Sequence, residues 1–182
     1  MRVFTAVPLP EALQEDIILG TASLRGRYPK LKWVSQQALH ITLNFLGEIE
    51  EETVPQVLSA MEAVRPAFNS FDLEFRGLGV FPRRGPARVV YVEPQRGIQQ
   101  CQKLQQALAR QLAVYAPPER KKFRPHLTIA RVKPHTDWPE PETEGTDIAF
   151  GFTVQRIVLY ESILKPDGAH YEEVGAVTAR IT

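Results

Sequence analysis

The chain has 182 residues, a length that corresponds to one domain or to two tightly fused lobes. Its 43% hydrophobic and 24% charged residues are typical of a globular protein and exclude a wholly disordered, collagen-like or coiled-coil chain. Lysine and arginine total 22 against 21 acidic residues, leaving a net charge of +1. The chain therefore lacks the basic footprint of a protein that holds nucleic acid by electrostatics alone.

Cysteine content and hydropathy indicate the cellular setting. The single cysteine, Cys101, excludes an intrachain disulfide framework and a multi-cysteine metal site, and it favours a reducing compartment. The N-terminal stretch MRVFTAVPLPEALQED has no signal-peptide core, and no run of about 18 apolar residues occurs. We therefore expect a soluble, cytoplasmic protein that does not associate with membranes. We separately expect a monomer, which these observations do not address.

The first half of the chain reads as strand, helix, two short strands and helix. A β-branched and aromatic run ends at Pro8, helical spacing of apolar residues follows, and Gly26 and Pro29 then break the helix. The predicted strands are residues 2–7, 31–34 and 39–46, and the predicted helices are residues 10–24 and 51–64.

The second half begins again with strands at residues 71–80 and 89–92, separated by a basic turn at 81–88. A stripe from Ile98 to Leu112 predicts a long amphipathic helix. The remaining predictions are a strand at 126–132, an exposed loop at 134–147, and strands at 152–164 and 171–181 around a turn at Pro166-Asp167-Gly168. This mixed order favours an α+β class with largely antiparallel sheets.

A strand, a helix and a short strand beginning with histidine occur once in each half of the chain. The histidine strands open with His40-Ile41-Thr42-Leu43 and His126-Leu127-Thr128-Ile129. We interpret this pattern as two similar lobes.

Alternation along the first histidine strand gives it one polar and one apolar face. His40, Thr42 and Asn44 should share one side, and Ile41, Leu43 and Phe45 should pack in the core on the other. Residues two apart on a strand are about 6.7 Å apart, so an imidazole and a hydroxyl can converge on one tetrahedral anion. Two such strands side by side would supply the acid, the base and the neutral donors that phosphoryl transfer needs.

A metal site built on His40 and His126 is the alternative chemistry. Neither strand offers Asp, Glu or Cys on the histidine face to complete a typical metal shell. We therefore expect no metal at this site.

The paired H-x-T-x tetrapeptides, 86 positions apart, resemble the 2H phosphoesterase superfamily. Within it, RVFTAVPLP, LHITLNFLGE, FRPHLTIAR and IVLYESIL are similar to segments of the RNA 2′,3′-cyclic phosphodiesterases, once called 2′-5′ RNA ligases. The resemblance covers nearly the whole chain. It implies a single bilobal α+β domain over residues 1–182, with two antiparallel sheets, flanking helices and a central cleft, and no cofactor.

The resemblance also implies roles for individual residues. His40 would protonate the leaving O3′, His126 would activate water, and Thr42 and Thr128 would donate to phosphate oxygens. Arg131 matches an arginine that the family places near the phosphate. Strict alternation puts Arg131 on the face opposite His126, so this role requires a β-bulge or the end of the strand.

The expected function is metal-independent hydrolysis of RNA or oligonucleotide 2′,3′-cyclic phosphate ends to 2′-phosphates. Alternatives are a reversible 2′-5′ RNA ligase, a phosphodiesterase for another small cyclic phosphate, or a non-catalytic RNA-binding module. The spacing of the motifs does not say which histidine is acid and which is base. Because histidine has a reference pKa of about 6.5, the sequence predicts maximal activity near neutral pH.

Several other residues are weaker candidates. Phe45 and Phe123 could stack a nucleobase, although core packing is the better interpretation for Phe45. Cys101 reads as a small core residue. Possible RNA-backbone contacts are Arg83, Arg84 and Arg88; His135 and His170 are expected at the surface, and Tyr160 and Glu161 have no assigned role.

Overall fold

The computed structural model describes residues 1–116, 122–134, 136, 148–166 and 168–180. These residues form α-helices and strands in mixed order, interrupted by short 3-10 turns. The helices are α1 (Glu11–Gly20), α2 (Ala22–Arg27), α3 (Val54–Glu62) and α4 (Ile98–Gln111). The strands are β1 (Arg2–Pro8), β2 (Lys32–Trp33), β3 (His40–Glu48), β4 (Phe71–Phe81), β5 (Val89–Arg96), β6 (Leu127–Arg131), β7 (Ala149–Val154), β8 (Arg156–Lys165) and β9 (Gly168–Thr178).

The strands form two antiparallel sheets, which confirms the predicted fold class. The first sheet has the order β3-β1-β8-β9, and the second has the order β2-β6-β5-β4-β7. Each sheet takes strands from both halves of the chain, since β2 joins the second sheet and the C-terminal β8 and β9 join the first. Within the described part of the chain, none of the helices has the length and apolar character needed to span a membrane.

The two strand-helix-strand units predicted from sequence occupy equivalent positions in the two sheets. β1 pairs antiparallel with the histidine strand β3, and β5 pairs antiparallel with the histidine strand β6. Helices α1 and α2 connect the first pair, and α4 connects the second. In each lobe, the histidine strand thus pairs with the strand that precedes it in the repeated strand-helix-strand unit.

Two predicted elements are divided in the structure. The predicted helix at 10–24 is α1 and α2, because the Thr21 hydroxyl bonds back to the carbonyls of Ile17 (2.8 Å) and Ile18 (3.2 Å) where α1 ends. The predicted strand at 152–164 is β7 and β8, separated at Gln155, and these two strands belong to different sheets. The single-element prediction was wrong in both places.

Other boundaries differ less. The predicted strand at 31–34 shortens to the two residues of β2, and the predicted helix at 51–64 begins as a 3-10 turn at Glu51–Thr53 before α3. The predicted helix along the Ile98 stripe is confirmed as α4, in which Cys101 and Leu108 are fully buried. Most of the predicted loop at 134–147 lies outside the described residues.

Each histidine strand carries a β-bulge immediately after its threonine. On β3, Thr5 of β1 pairs with Asn44 and Ala6 pairs with Thr42, so Leu43 is the extra residue. On β6, Val90 of β5 pairs with Ala130 and Tyr91 pairs with Thr128, so Ile129 is extra. A bulge shifts the alternation of the residues beyond it by one position. The two bulges therefore reorient equivalent positions in the two lobes.

Candidate active site

A cavity of about 400 Å³ lies between the two sheets. His40 and Thr42 of β3 line it from the first sheet, and His126, Thr128 and Arg131 line it from the second. The structure thus brings together all five residues proposed from the sequence, although they come from strands more than 80 positions apart.

The His40 ring is held by two hydrogen bonds. Nδ1 lies 2.8 Å from the carbonyl oxygen of Ala38, and Nε2 lies 2.9 Å from the Thr42 hydroxyl. A carbonyl oxygen only accepts, so Nδ1 carries the proton, and in the neutral ring Nε2 accepts from Thr42. This arrangement fixes the tautomer and leaves Nε2 as the reactive nitrogen.

The His126 ring is fixed in the same way. Its Nδ1 donates to the carbonyl oxygen of Arg124 at 2.7 Å, again two residues before the histidine. Among the described residues no hydrogen bond joins His126 to Thr128, in contrast to the His40–Thr42 pair. His126 Nε2 therefore keeps an available lone pair, which suits a group that accepts a proton from water.

The bulges bring the fifth residue after each histidine to the cleft. Ile129 is the extra residue of β6, so Arg131 turns to the side of Thr128 and lines the cavity, as the sequence argument required. On β3 the extra Leu43 does the same for Phe45, which is 57% exposed and lines the cavity. Core packing of Phe45, expected from strict alternation, was wrong.

The same bulge explains the position of Asn44, which does not share the face of His40 and Thr42 as expected. Asn44 is only 3% exposed, and its backbone N–H donates to the Thr5 hydroxyl at 3.2 Å. Asn44 is therefore buried next to Thr5 and does not face the cavity.

Aromatic rings surround both histidines, and the sequence analysis missed most of them. Phe4 and Tyr171 lie 4.9 Å from His40 between ring centroids, with Tyr171 edge-on. Tyr160, which had no assigned role, packs against Phe4 at 5.6 Å. Side chains alternate along β1, so Pro8, Ala6 and Phe4 share one face of the strand. This alternation was a usable sequence signal for Phe4. Tyr171 had none, because the pairing of β9 is decided by tertiary structure.

The remaining candidates that the structure describes lie outside the cavity. Phe123 is partly buried against the core and does not line this cavity, so it is not placed to stack on a ligand there. Arg83, Arg84 and Arg88 are all exposed on the basic turn, and Arg83 lies 3.5 Å from Glu93. His170 is partly buried on β9, and His135 lies outside the described residues. Cys101 is fully buried, as predicted, and burial raises its pKa to about 12.

No group of three or more histidine, cysteine or acidic side chains with metal-binding geometry occurs in the part of the chain that the structure describes. Arg131 supplies positive charge where the cavity meets β6. The donors that face a ligand are therefore imidazoles, hydroxyls and a guanidinium.

Both imidazoles have pKa values below the usual 6.5. For His40, burial is the main cause and lowers the pKa to about 4; the Ala38 carbonyl opposes this, and the charges of Arg131 and His126 add to it. Burial also lowers the pKa of His126, opposed by the Arg124 carbonyl and assisted by Arg131. In the free protein both rings are therefore neutral at neutral pH.

These pKa shifts change the expected pH dependence. The reactive form has one protonated and one neutral imidazole, and its population peaks between the two pKa values. We expect a bell-shaped kcat/KM with its maximum below pH 6.5, on the acid side of the near-neutral maximum that the sequence predicts. A bound phosphate anion favours imidazolium, so the maximum in kcat should lie at higher pH. Initial rates across the pH range test this; kcat/KM rising steadily to alkaline pH would contradict it.

Comparison with known proteins identifies the family of this chain. A sequence model described as the 2′-5′ RNA ligase superfamily matches residues 9–164. An RNA 2′,3′-cyclic phosphodiesterase of Thermotoga maritima is 30% identical over 94% of this chain and 92% of its own length. One of Thermus thermophilus is 32% identical over 94% of this chain and 86% of its own. The chain therefore belongs to the 2′-5′ RNA ligase superfamily.

Solved structures agree with the fold. The crystal structure of TT0787 of Thermus thermophilus superposes with a TM-score of 0.84 at 30% identity, covering 99% of this chain and 98% of that one. E. coli LigT complexed with 3′-AMP superposes with a TM-score of 0.77 at 24% identity over 98% and 97% of the two chains. These similarities confirm the two-sheet fold expected from the sequence.

Proposed function

We propose that this protein is an enzyme that hydrolyses terminal 2′,3′-cyclic phosphodiesters of RNA to 2′-phosphomonoesters by two-histidine acid-base catalysis. The observation that carries the proposal is the convergence of His40 and His126 on one cavity, each oriented by a backbone carbonyl that fixes Nε2 as the reactive nitrogen. Relatives of similar length that bear the name RNA 2′,3′-cyclic phosphodiesterase support the choice of substrate.

In the proposed reaction the cyclic phosphate lies between the two Nε2 atoms. His126 takes a proton from water, the water oxygen bonds to phosphorus, and the bond from phosphorus to O3′ breaks as His40 protonates O3′. Arg131, Thr42 and Thr128 bind the non-bridging oxygens and stabilise the developing negative charge. Assigning His40 as acid and His126 as base follows the family resemblance; the available lone pair of His126 Nε2 supports it.

The low pKa of His40 bears on this assignment. His40 must be protonated to act as an acid, yet burial holds its pKa at about 4 in the free protein. Binding an anionic phosphate beside Nε2 stabilises the charged ring and raises that pKa. Substrate binding thus prepares His40 for its role.

Monomeric state and cytoplasmic location stay predictions.

The product tests the proposal. A short RNA ending in a 2′,3′-cyclic phosphate should be converted to a single 2′-phosphate in buffer containing EDTA, because the proposed mechanism uses no metal. Phosphorus NMR, with authentic 2′- and 3′-monophosphates as standards, identifies the product. A 3′-phosphate would reverse the proposed placement of His40 and His126 relative to the ring. Absence of hydrolysis would refute the proposed function and favour a binding module.

Phe45 is expected to stack on the terminal nucleobase. Its ring is exposed in the cavity and supported from behind by Phe4, with 5.9 Å between centroids. Base stacking on an aromatic side chain is worth about 1–3 kcal/mol, so Phe45→Ala should lower kcat/KM roughly 5- to 150-fold. Phe45→Tyr, which keeps the ring, is the matched control and should stay near wild type. Unchanged kcat/KM in Phe45→Ala would exclude stacking.

A further inference from the structure

A second cavity, of about 290 Å³, lies beside the His126 side of the active site. We call it the Tyr91 pocket and define it by the side chains that matter below: Phe81, Arg83, Tyr91, Glu93, Lys122 and Arg124. None of these side chains has a role in the proposed hydrolysis.

The Tyr91 pocket shares a wall with the active site. Phe81 and Tyr91 stack on each other at 4.3 Å, and both rings stand edge-on to His126, at 5.2 and 5.6 Å between centroids. Arg124, whose carbonyl orients His126, also lines the pocket. A ligand that extends out of the active site beside His126 is therefore separated from the pocket by only one layer of aromatic rings.

This wall depends on a glycine. Gly79 of β4 pairs with Tyr91, and a Cβ at position 79 would lie 2.5 Å from the Tyr91 ring. The tyrosine therefore lies across β4 and is 3% exposed, with its hydroxyl 3.4 Å from Glu93. Glu93 in turn lies 3.5 Å from Arg83. The wall and the position of Arg83 are thus determined together.

Among the described residues that line the pocket, positive charge exceeds negative charge. Arg83, Lys122 and Arg124 face one carboxylate, Glu93, and that carboxylate is paired with Arg83. Within the described ranges, Lys122 and Arg124 form no ion pair. Two cations that have no ion-pair partner among the described residues lie beside an aromatic wall, which favours an anionic ligand, in a protein whose net charge is only +1.

We propose that the Tyr91 pocket binds the backbone phosphate that precedes the terminal cyclic phosphate of an RNA substrate. This inference rests on the proposed function. A cyclic phosphate at an RNA end belongs to a nucleoside whose 5′ oxygen carries the next phosphodiester, and that anion must leave the active-site cavity. Contacts between cations and backbone phosphates position a nucleic acid without reading its sequence. The enzyme should then prefer oligonucleotides to a 2′,3′-cyclic mononucleotide, which lacks this phosphate.

Lys122 provides the test, because its side chain has no part in orienting His126. Lys122→Gln should lower kcat/KM about tenfold for a trinucleotide with a 2′,3′-cyclic end, and Lys122→Glu should lower it further. With a 2′,3′-cyclic mononucleotide both variants should stay within about twofold of wild type. Losing one phosphate contact should also reduce the slope of log kcat/KM against log salt by about 0.7 for the trinucleotide.

Arg110 is the matched control. It is exposed at the far end of α4 and lines none of the cavities described above. Arg110→Gln and Arg110→Glu change the net charge by the same amounts and should leave both substrates unaffected. Equal loss on both substrates, or no loss on the trinucleotide, in the Lys122 variants would overturn the pocket assignment while hydrolysis by the wild type upholds the proposed function. A wild type that hydrolyses neither substrate would overturn both.

Discussion

Replacing either histidine by alanine is expected to lower kcat/KM for a 2′,3′-cyclic phosphate by about 10²- to 10⁴-fold, the usual contribution of a general acid or base. The two losses should not multiply in the double variant, because acid and base act in one step. Steady-state rates on a cyclic-phosphate RNA, with product identification, are the measurement. Near-full activity in either variant would exclude the two-histidine mechanism.

The controls for this experiment follow from the packing of each ring. His40 lies against Phe4 and Tyr171, so His40→Ala also removes buried contacts. His40→Gln fills more of the space and separates lost chemistry from lost stability, which thermal unfolding measures. His170→Ala, on β9 but outside the cavity, should retain wild-type activity. A large loss in His170→Ala would show that histidine removal acts through folding.

Replacing Arg131 by glutamine is expected to reduce kcat about 10²- to 10³-fold, the typical cost of losing one donor that stabilises a developing oxyanion. Arg131→Lys keeps the charge but loses the bidentate hydrogen bonding of the guanidinium, so the activity of this variant should fall between those of wild type and the glutamine variant. Arg88→Gln, on the exposed basic turn, is the matched control and should be neutral.

Arg131 has a second readout that a structural role would not produce. Its charge lowers the pKa of both histidines, so Arg131→Gln should raise both pKa values and move the kcat/KM maximum to higher pH. A loss of activity with an unchanged pH profile would indicate that Arg131 acts only through local structure.

Much of the fold could be predicted from local pattern. The helix α4 and the strand β4 follow from apolar spacing, because periodicity of 3.6 or 2 is imposed on a segment by the single face it buries. The strand β1 is buried on both faces, and it follows instead from its β-branched and aromatic composition. The H-x-T-x strands carry their chemistry in adjacent residues, so His40 with Thr42, and His126 with Thr128, could be chosen without knowing how the strands pair.

Sequence alone determined less where a segment's structure depends on a partner strand. The run from 152 to 164 is uniformly strand-like and has no turn residue at Gln155, yet β7 pairs with β4 and β8 pairs with β1. The run is divided because its two parts pair with strands of different sheets. The local composition of the run does not indicate either pairing. The same holds for β2, whose two residues pair with β6 in the opposite lobe.

The site itself shows the division most clearly. The sequence determined that two histidines and two threonines lie on polar strand faces, because alternation holds over the two residues that separate them. Only the tertiary structure decided that Phe45 and Arg131 also reach the cleft. Each depends on one extra residue, Leu43 or Ile129, that has no partner on the neighbouring strand. A bulge is a property of the pairing between two strands, and the alternation of one strand taken alone cannot contain it.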